Sequence, residues 1–263
     1  MENESRTFSG STLKIIAVVS MLIDHIAVVI LDRVLVAEGF VMSDVESLTV
    51  FQNEHPALLS IYFLMRLLGR LAFPIFAFLL IEGIEHTKHM GRYALRLFLF
   101  AVISEVPFDL ANHNEILEPT YQNVLFTLFL GLVTIVAIKQ AEYYLPDKKF
   151  MQGVIIAVFT LAIMYIADIF SSDYGAFGIL AIVLMYLCRK HRMTEMFWCC
   201  VVLTCSSFLE ITSFACIPLV MRYNGERGLK IKYLFYLFYP LHLLLLYLIA
   251  YLMGLVGPVG PVY

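Results

Sequence analysis

Charged side chains are scarce in this sequence of 263 residues. Lysine and arginine number 18, aspartate and glutamate number 21, and together they form 15% of the chain, whereas 61% is hydrophobic. With a mean hydropathy of +0.84, this balance excludes an ordinary soluble domain and indicates a membrane protein. The formal net charge of −3 also excludes the strongly basic surface that nucleic-acid binding requires.

Cysteines with metal-ligand spacing are also missing. The five cysteines fall in or beside hydrophobic runs, and none forms a CxxC or a Cys/His pattern. We therefore expect no metal site, and we interpret the cysteines as small buried apolar residues. They are Cys188, Cys199, Cys200, Cys205 and Cys216.

Long apolar runs are present instead. Because a spanning helix needs roughly 20 apolar residues, the chain predicts an all-α, polytopic helical membrane bundle, a single integral-membrane domain over 1–263 with tails at 1–12 and 254–263. A polar, mostly acidic loop is expected from Asp32 to His55. The predicted segments are Leu13–Leu31, Ala57–Ile84, a third run from the basic patch at 86–96 to Leu110, Tyr121–Ile138, Phe150–Ile169, Tyr174–Leu187, Met196–Cys205, Phe208–Met221 and Tyr233–Met253.

The stretch Met196–Met221 leaves two topologies open. Its centre, SSFLEITS, is polar, and the loop that follows, RYNGERGLKIK, is strongly basic. Basic loops favour the cytoplasmic side, so we prefer a hairpin of two short helices, which gives about nine membrane segments and an external C-terminus. A single long span would give about eight.

Lysine and arginine alternate between the two sides of the predicted bundle. They follow the second, fourth and sixth runs, whereas the loops after the first, third and fifth runs are acidic and contain only Arg33. The positive-inside rule then predicts a cytoplasmic N-terminus.

Four ionisable residues fall at comparable depths within the apolar runs: Asp24, His25, Arg70 and His242. Such residues are costly in a bilayer and mark functional sites more often than other positions do. Histidine suits a general base, since its ordinary pKa near 6.5 lets it take and return a proton. The structural alternative is a polar cluster that ties helices together.

Arg70 is the costliest of these residues. We expect either a role at an anionic or thioester site, or a structural salt bridge to Asp24 or Glu82. Pro74 follows four residues later and predicts a kinked turn that frees the carbonyl of residue 70. Glu82 lies near the cytoplasmic end, where Gly83 would admit a ligand.

A basic patch, HTKHMGRYALR, lies at the predicted cytoplasmic mouth. Arg92 and Arg96 are four residues apart, so they share a helix face and suit a phosphate clamp. Basic residues at this boundary are also usual in any membrane protein. From the residues alone, a transporter, a channel and a membrane-embedded transferase all stay open.

The strings LKIIAVVSMLIDHI, GRLAFPIFAFLLIEG, HTKHMGRYALRLFLFAVISEVPFDL, DYGAFGIL, YNGERG and FYLFYPLHL resemble the TraX family over almost the whole chain. The architecture is also distantly like the transmembrane acyltransferases. The positions that match are Asp24, His25, Gly69, Arg70, Pro74, Glu82, Arg92, Arg96, Tyr239 and His242.

The resemblance implies a bacterial cell-membrane acetyltransferase that uses acetyl-CoA, with no metal, on the N-terminal amine of a pilin-like or other secreted or membrane polypeptide. The catalytic set would be His25, Asp24, Arg70 and His242, with His25 or His242 as base and Arg70 at the oxyanion. Arg92, Arg96, Lys88 and Glu82 would bind the donor. The alternative is a small proton-coupled transporter or exporter that uses the buried Asp, His and Arg residues.

Overall fold

The computed structural model describes residues 7–40, 45–229 and 232–256, and these are almost entirely helical. The all-α helical bundle is therefore confirmed. The helices are α1 (Gly10–Ile26), a π-helical turn (Ala27–Leu31), α2 (Asp32–Ala37), α3 (Val45–Glu54), α4 (Pro56–Gly69), α5 (Ala72–His86), α6 (Met90–His113), α7 (Val124–Tyr144), α8 (Lys149–Ile169), α9 (Gly175–Cys188), α10 (Arg192–Ser206), a 3-10 helix (Phe208–Ala215), α11 (Cys216–Met221) and α12 (Lys232–Leu252).

Within the described ranges, five helical stretches are long and apolar enough to cross a membrane. They are Gly10–Ala37, Pro56–His86, Val124–Tyr144, Lys149–Ile169 and Leu234–Leu252. Their outward faces carry exposed large apolar residues such as Leu64, Val158 and Leu245, which suit contact with lipid tails. The protein is a multi-pass membrane protein; the larger number of about nine segments stays a prediction.

The first helix is longer than the sequence indicated. It continues through the π-helical turn to Ala37, so the loop predicted to begin at Asp32 was wrong, and α3 occupies part of the same stretch. The buried Arg33 makes this extension possible, because its guanidinium donates to the backbone carbonyls of Val29 and Ala111. Helix α1 also begins at Gly10, inside the predicted N-terminal tail, and residues 257–263 of the predicted C-terminal tail lie outside the described residues.

The segment 196–221 turns back on itself. Helix α10 ends at Ser206, Ser207 is extended, and the 3-10 helix and α11 return along α10, where Cys200 and Cys216 place their sulfurs 3.8 Å apart. This is the preferred hairpin. Of the five cysteines expected to be buried, three are buried, Cys188 is half-buried and Cys205 is exposed, so the expectation was wrong for Cys205.

The N-terminal segment is hydrogen-bonded to the loop after α11, so the two segments lie at the same end of the bundle. The Phe8 amide donates to Arg222 O, and the Gly10 amide donates to Glu226 O at 2.7 Å. Ser9 accepts from the Thr12 amide and caps α1. An even number of crossings therefore separates residue 8 from residue 222.

This pairing predicts the accessibility of introduced cysteines in whole cells. In a Cys205→Ser background, His191→Cys and Glu226→Cys should both resist a membrane-impermeant maleimide, whereas Leu117→Cys should react, because the first two positions lie at the basic end. All three side chains are exposed in the protein. Different labelling of His191→Cys and Glu226→Cys would contradict the hairpin.

Candidate functional site

The centre of the bundle is built where helices are interrupted. Helix α4 ends at Gly69 and α5 begins at Ala72, so the kink predicted at Pro74 is a two-residue interruption at Arg70 and Leu71, which both keep right-handed helical backbone angles. Pro74 has no N–H to continue the ladder. Carbonyls freed by such a break must find other donors inside a membrane, and Ser20 Oγ donates to Leu68 O at 2.6 Å.

The returning hairpin supplies a second interruption at the same place. Thr212 Oγ1 donates to Leu67 O at 2.9 Å, which fixes the 3-10 helix against the end of α4. Glu210 on the same 3-10 helix is 3% exposed and therefore faces the break. A 3-10 helix of eight residues is unusually long, and it places an acidic side chain deep in the bundle.

The turn before α9 is the third interruption. Tyr174 holds φ +65° and Gly175 φ +45°, and a bulky side chain in this left-handed region is a strained exception. The Tyr174 ring stacks on Phe73 with centroids 4.0 Å apart. Helix α9 has 14 residues and is about 21 Å long, which is shorter than the ~30 Å hydrocarbon core.

Four charged side chains meet between these interruptions. Asp24 Oδ2 accepts from Arg66 at 2.7 Å, and Asp24 Oδ1 accepts from Arg70 at 2.9 Å. Arg70 also donates to Glu210 Oε1 at 2.9 Å and to Arg66 O at 3.1 Å. The two positive and two negative charges thus balance, which offsets the desolvation free energy of burying each charge alone. Glu82 is not a partner of Arg70.

The two histidines from opposite ends of the chain form a pair. His25 Nδ1 and His242 Nε2 are 2.7 Å apart, and the rings stack with centroids at 4.9 Å. His242 is 4% exposed and its Nδ1 lies 2.7 Å from Phe238 O. Asp24 points to the arginines, so the direct support of His25 comes from His242.

Hydrogen-bond roles assign the protons of this pair. A carbonyl oxygen only accepts, so His242 Nδ1 carries the hydrogen that binds Phe238 O. With both rings neutral, His242 Nε2 then accepts from His25 Nδ1–H, and the lone pair of His25 is left on Nε2. A fixed tautomer of this kind suits a general base.

A cavity of about 580 Å³ joins this centre to the basic end of the bundle. Its deep part includes Asp24, His25, Asp173 and Tyr239. Apolar walls from α5 and α7, such as Phe76 and Leu128, continue toward the mouth. The cavity is therefore a long, mostly apolar passage that ends at a polar centre.

The mouth of the cavity is rich in cations. Lys14, Arg96 and Arg227 line it together with His86 and Glu82. Lys14 lies eleven residues before His25, which places both on one face of α1 about 16 Å apart. The positive mouth suits an anionic ligand whose other end reaches inward.

Glu82 is held at the mouth by a tyrosine. Burial and the Glu82 carboxylate raise the pKa of Tyr223 to about 12, so its hydroxyl stays protonated and donates to Glu82. Arg192 donates to Tyr223 O at 2.8 Å. Glu82 and Arg192 also line a neighbouring cavity of about 400 Å³, with Arg189 and Lys190 on its wall.

The structure distributes the predicted site residues over three positions. Asp24, His25, Glu82 and Arg96 line the long cavity. Arg70 and His242 stand behind its wall and bind Asp24 and His25. Arg92 and Lys88 are exposed at the basic end and do not line it.

Sequence reasoning missed Arg66, Glu210 and Lys14. Arg66 precedes Arg70 by one helical turn, which is the spacing of a shared face. Glu210 was visible as an acidic residue between two apolar half-segments. The signal for Lys14 was its eleven-residue spacing from His25.

A comparison with family models finds that the model for TraX protein matches residues 9–250. In the curated proteins, a probable fimbrial assembly protein FimC (serogroup H1) of Dichelobacter nodosus is 30% identical over 151 residues. The match covers 54% of this chain and 50% of that protein, so the chain spans about half the length of this relative. No solved structure matches.

Close packing at Gly69 predicts a large effect of one added methyl group. A Cβ at Gly69 would overlap the side chain of Asp24, so Gly69→Ala must displace the carboxylate from both arginines. We expect a loss of at least about 1–3 kcal/mol, as for other overpacked sites, measured as a lower unfolding temperature of the detergent-purified protein.

Gly153→Ala is the matched control, because a Cβ at this position of α8 meets nothing within 4 Å. Alanine is the better helix former, so this variant should be neutral or slightly more stable. Equal melting temperatures for Gly69→Ala and the native protein would contradict the close approach of Asp24 to the helix break.

Proposed function

Because this chain belongs to the TraX family, we propose that it is an integral-membrane acyltransferase of the bacterial cytoplasmic membrane. It would use acetyl-CoA to acetylate the N-terminal amine of a pilin-like or other secreted or membrane polypeptide, with its own N-terminus in the cytoplasm. The cavity from the cation-rich mouth to His25 is the observation that carries the proposal.

The mouth supports an anionic donor. Arg96 has a buried Nε that finds no hydrogen-bond acceptor within the described ranges of the chain, and a phosphate oxygen is an acceptor that guanidinium groups bind well. Lys14 and Arg227 line the same mouth. The adjoining cavity, with Arg189 and Lys190 on its wall, adds room beside Glu82 for the nucleotide end of a large donor.

The deep end supports acyl transfer. Acetyl-CoA supplies a thioester; a C–N bond to the acceptor forms and the C–S bond breaks. His25 Nε2 takes the proton from the attacking amine and returns it to the leaving thiolate, so that protons balance. His242 holds His25 in the required tautomer by accepting from Nδ1–H.

We assign Arg70 a positioning role in this scheme, in place of the oxyanion role expected from the sequence. Its donors are directed to Asp24, Glu210 and the carbonyl of Arg66, and it does not line the cavity. Tyr239 lines the cavity with its ring 6.2 Å from that of His25. Its hydroxyl is the donor that we assign to the oxyanion.

The relative named as a probable fimbrial assembly protein supports a pilin-like acceptor. Fimbrial subunits are polypeptides that leave the cytoplasm, so their amines arrive from the membrane or its outer side. His25 lies near the middle of the first helical stretch, Gly10–Ala37, roughly 22 Å from its start, a depth at which a donor from inside and an acceptor from outside would meet.

Replacing His25 by alanine tests the chemistry. Purified protein should transfer labelled acetyl from acetyl-CoA to an acceptor, and His25→Ala should lower this rate at least about 100-fold, because general-base catalysis contributes 10²–10⁴. His89→Ala, an exposed histidine outside the cavity, is the control. Full transfer by His25→Ala would contradict the assigned role.

Neighbouring arginines test the donor site. Arg96→Ala should raise KM for acetyl-CoA about tenfold or more with a smaller change in kcat, since Arg96 lines the cavity. Arg92→Ala, one turn earlier and exposed, should change KM less. Equal effects of the two variants on KM would place the donor site elsewhere.

Saturating CoA should also stabilise the protein, by about 2.7 kcal/mol at 100 Kd. If CoA does not raise the unfolding temperature, the transporter hypothesis is favoured.

A further inference from the structure

The outer half of α6 carries three ionisable side chains on one face. Glu105, Asp109 and His113 follow one another at four-residue intervals, so they lie one above another over about 12 Å. We call them the outer acidic row. Each has a buried polar atom with no hydrogen-bond partner among the residues that the structure describes: Glu105 Oε1, Asp109 Oδ1 and His113 Nε2.

The two carboxylates are fixed through their other oxygens. Asp109 Oδ2 accepts from the Glu118 amide at 2.9 Å, and Glu105 Oε2 accepts from Asn123 Nδ2. Asp109 is fully buried. Buried polar atoms without partners are rare and costly, so each carboxylate offers one oriented oxygen to a donor from outside the described chain.

The row connects the outer end of the bundle with the wall of the cavity. His113 is the last residue of α6, and α6 packs against α12, whose Tyr239 lines the cavity beside His25. Tyr121 packs on His113 with centroids 6.3 Å apart and donates to Asp173 at 2.8 Å. Asp173 lines the cavity from the same side.

Nothing in the described part of the chain neutralises these carboxylates with a lysine or arginine. The nearby Arg33 donates to the carbonyls of Val29 and Ala111, so its guanidinium is occupied by the backbone. The outer loop adds Glu115 and Glu118. The row is therefore an acidic site at the end of the bundle opposite the cation-rich mouth of the cavity.

We infer that the outer acidic row binds a primary ammonium group, the free N-terminus of a polypeptide; a carboxylate of the row takes the extra proton of the ammonium, and the neutral amine continues toward His25. An ammonium has three donors and one positive charge, so it can donate to both orphan oxygens and offset one negative charge of the pair. A hydroxyl has one donor and no charge. That the bound amine is the acyl acceptor rests on the proposed function; that the row binds it does not.

Binding to a matched pair of peptides tests this inference. One peptide lacks lysine, has a free α-amine and carries a fluorophore at its C-terminus; the other is the same peptide with an acetylated N-terminus. Full-length protein in detergent should bind the free amine about tenfold more tightly, as a charged hydrogen bond of about 1.4 kcal/mol provides.

The variants locate that preference in the row. Glu105→Gln with Asp109→Asn keeps the shapes but removes the charges, and should reduce the preference to near unity. Glu38→Gln, an exposed outer acid away from the row, should keep it. If the double variant fails to fold, Glu105→Gln alone is the substitute, because Glu105 is only partly buried and its replacement should be tolerated. This single variant should still lower the preference for the free amine.

Equal affinity of the native protein for both peptides, or an unchanged preference in the variants, would overturn the inference. Its failure is separable from that of the proposed function. If the protein still transfers acetyl groups but binds both peptides equally, the inference about the row is refuted and the proposed function is kept. A preference for the amine without any acetyl transfer keeps the row and refutes the enzyme.

Discussion

The partly buried pairing of Asp24 with Arg66 and Arg70 is the constraint on which the rest of the structure depends. Breaking such a pair leaves an uncompensated charge and costs about 3–5 kcal/mol. Glu210 completes the balance from the returning hairpin, so α1, the end of α4 and the 3-10 helix must meet at one point. The helix break at Arg70, the missing side chain of Gly69 and the position of the hairpin all follow from this meeting.

Because the charge network engages Asp24, the two histidines hydrogen-bond with each other. Since Asp24 is turned to the arginines, His25 is oriented by His242 and, through it, by Phe238 O. An imidazole held by another neutral imidazole keeps a defined lone pair without the full charge of a neighbouring carboxylate. A histidine held in this way suits proton transfer to and from an amine and a thiolate.

The cavity separates two kinds of electrostatics. Cations line its mouth, and carboxylates without cationic partners line the outer half of α6. An anionic donor and a cationic acceptor would thus approach from opposite ends and be kept apart except near His25. This separation of charge would keep donor and acceptor apart, because the charge that attracts one of them repels the other.

The sequence alone determined the membrane class, the helical bundle and the depth of Asp24, His25, Arg70 and His242, because apolar runs and costly charges are local properties. It offered Asp24 and Glu82 as partners for Arg70 without choosing between them, and the structure shows Asp24. The partners of Asp24 lie 42 and 46 residues away, and His25 and His242 are separated by 217. Contacts between distant helices leave no periodic pattern in the chain. Only the tertiary structure therefore shows the partners of Glu210 and Arg66 and the oxygens of Glu105 and Asp109 that have no partner within the described residues.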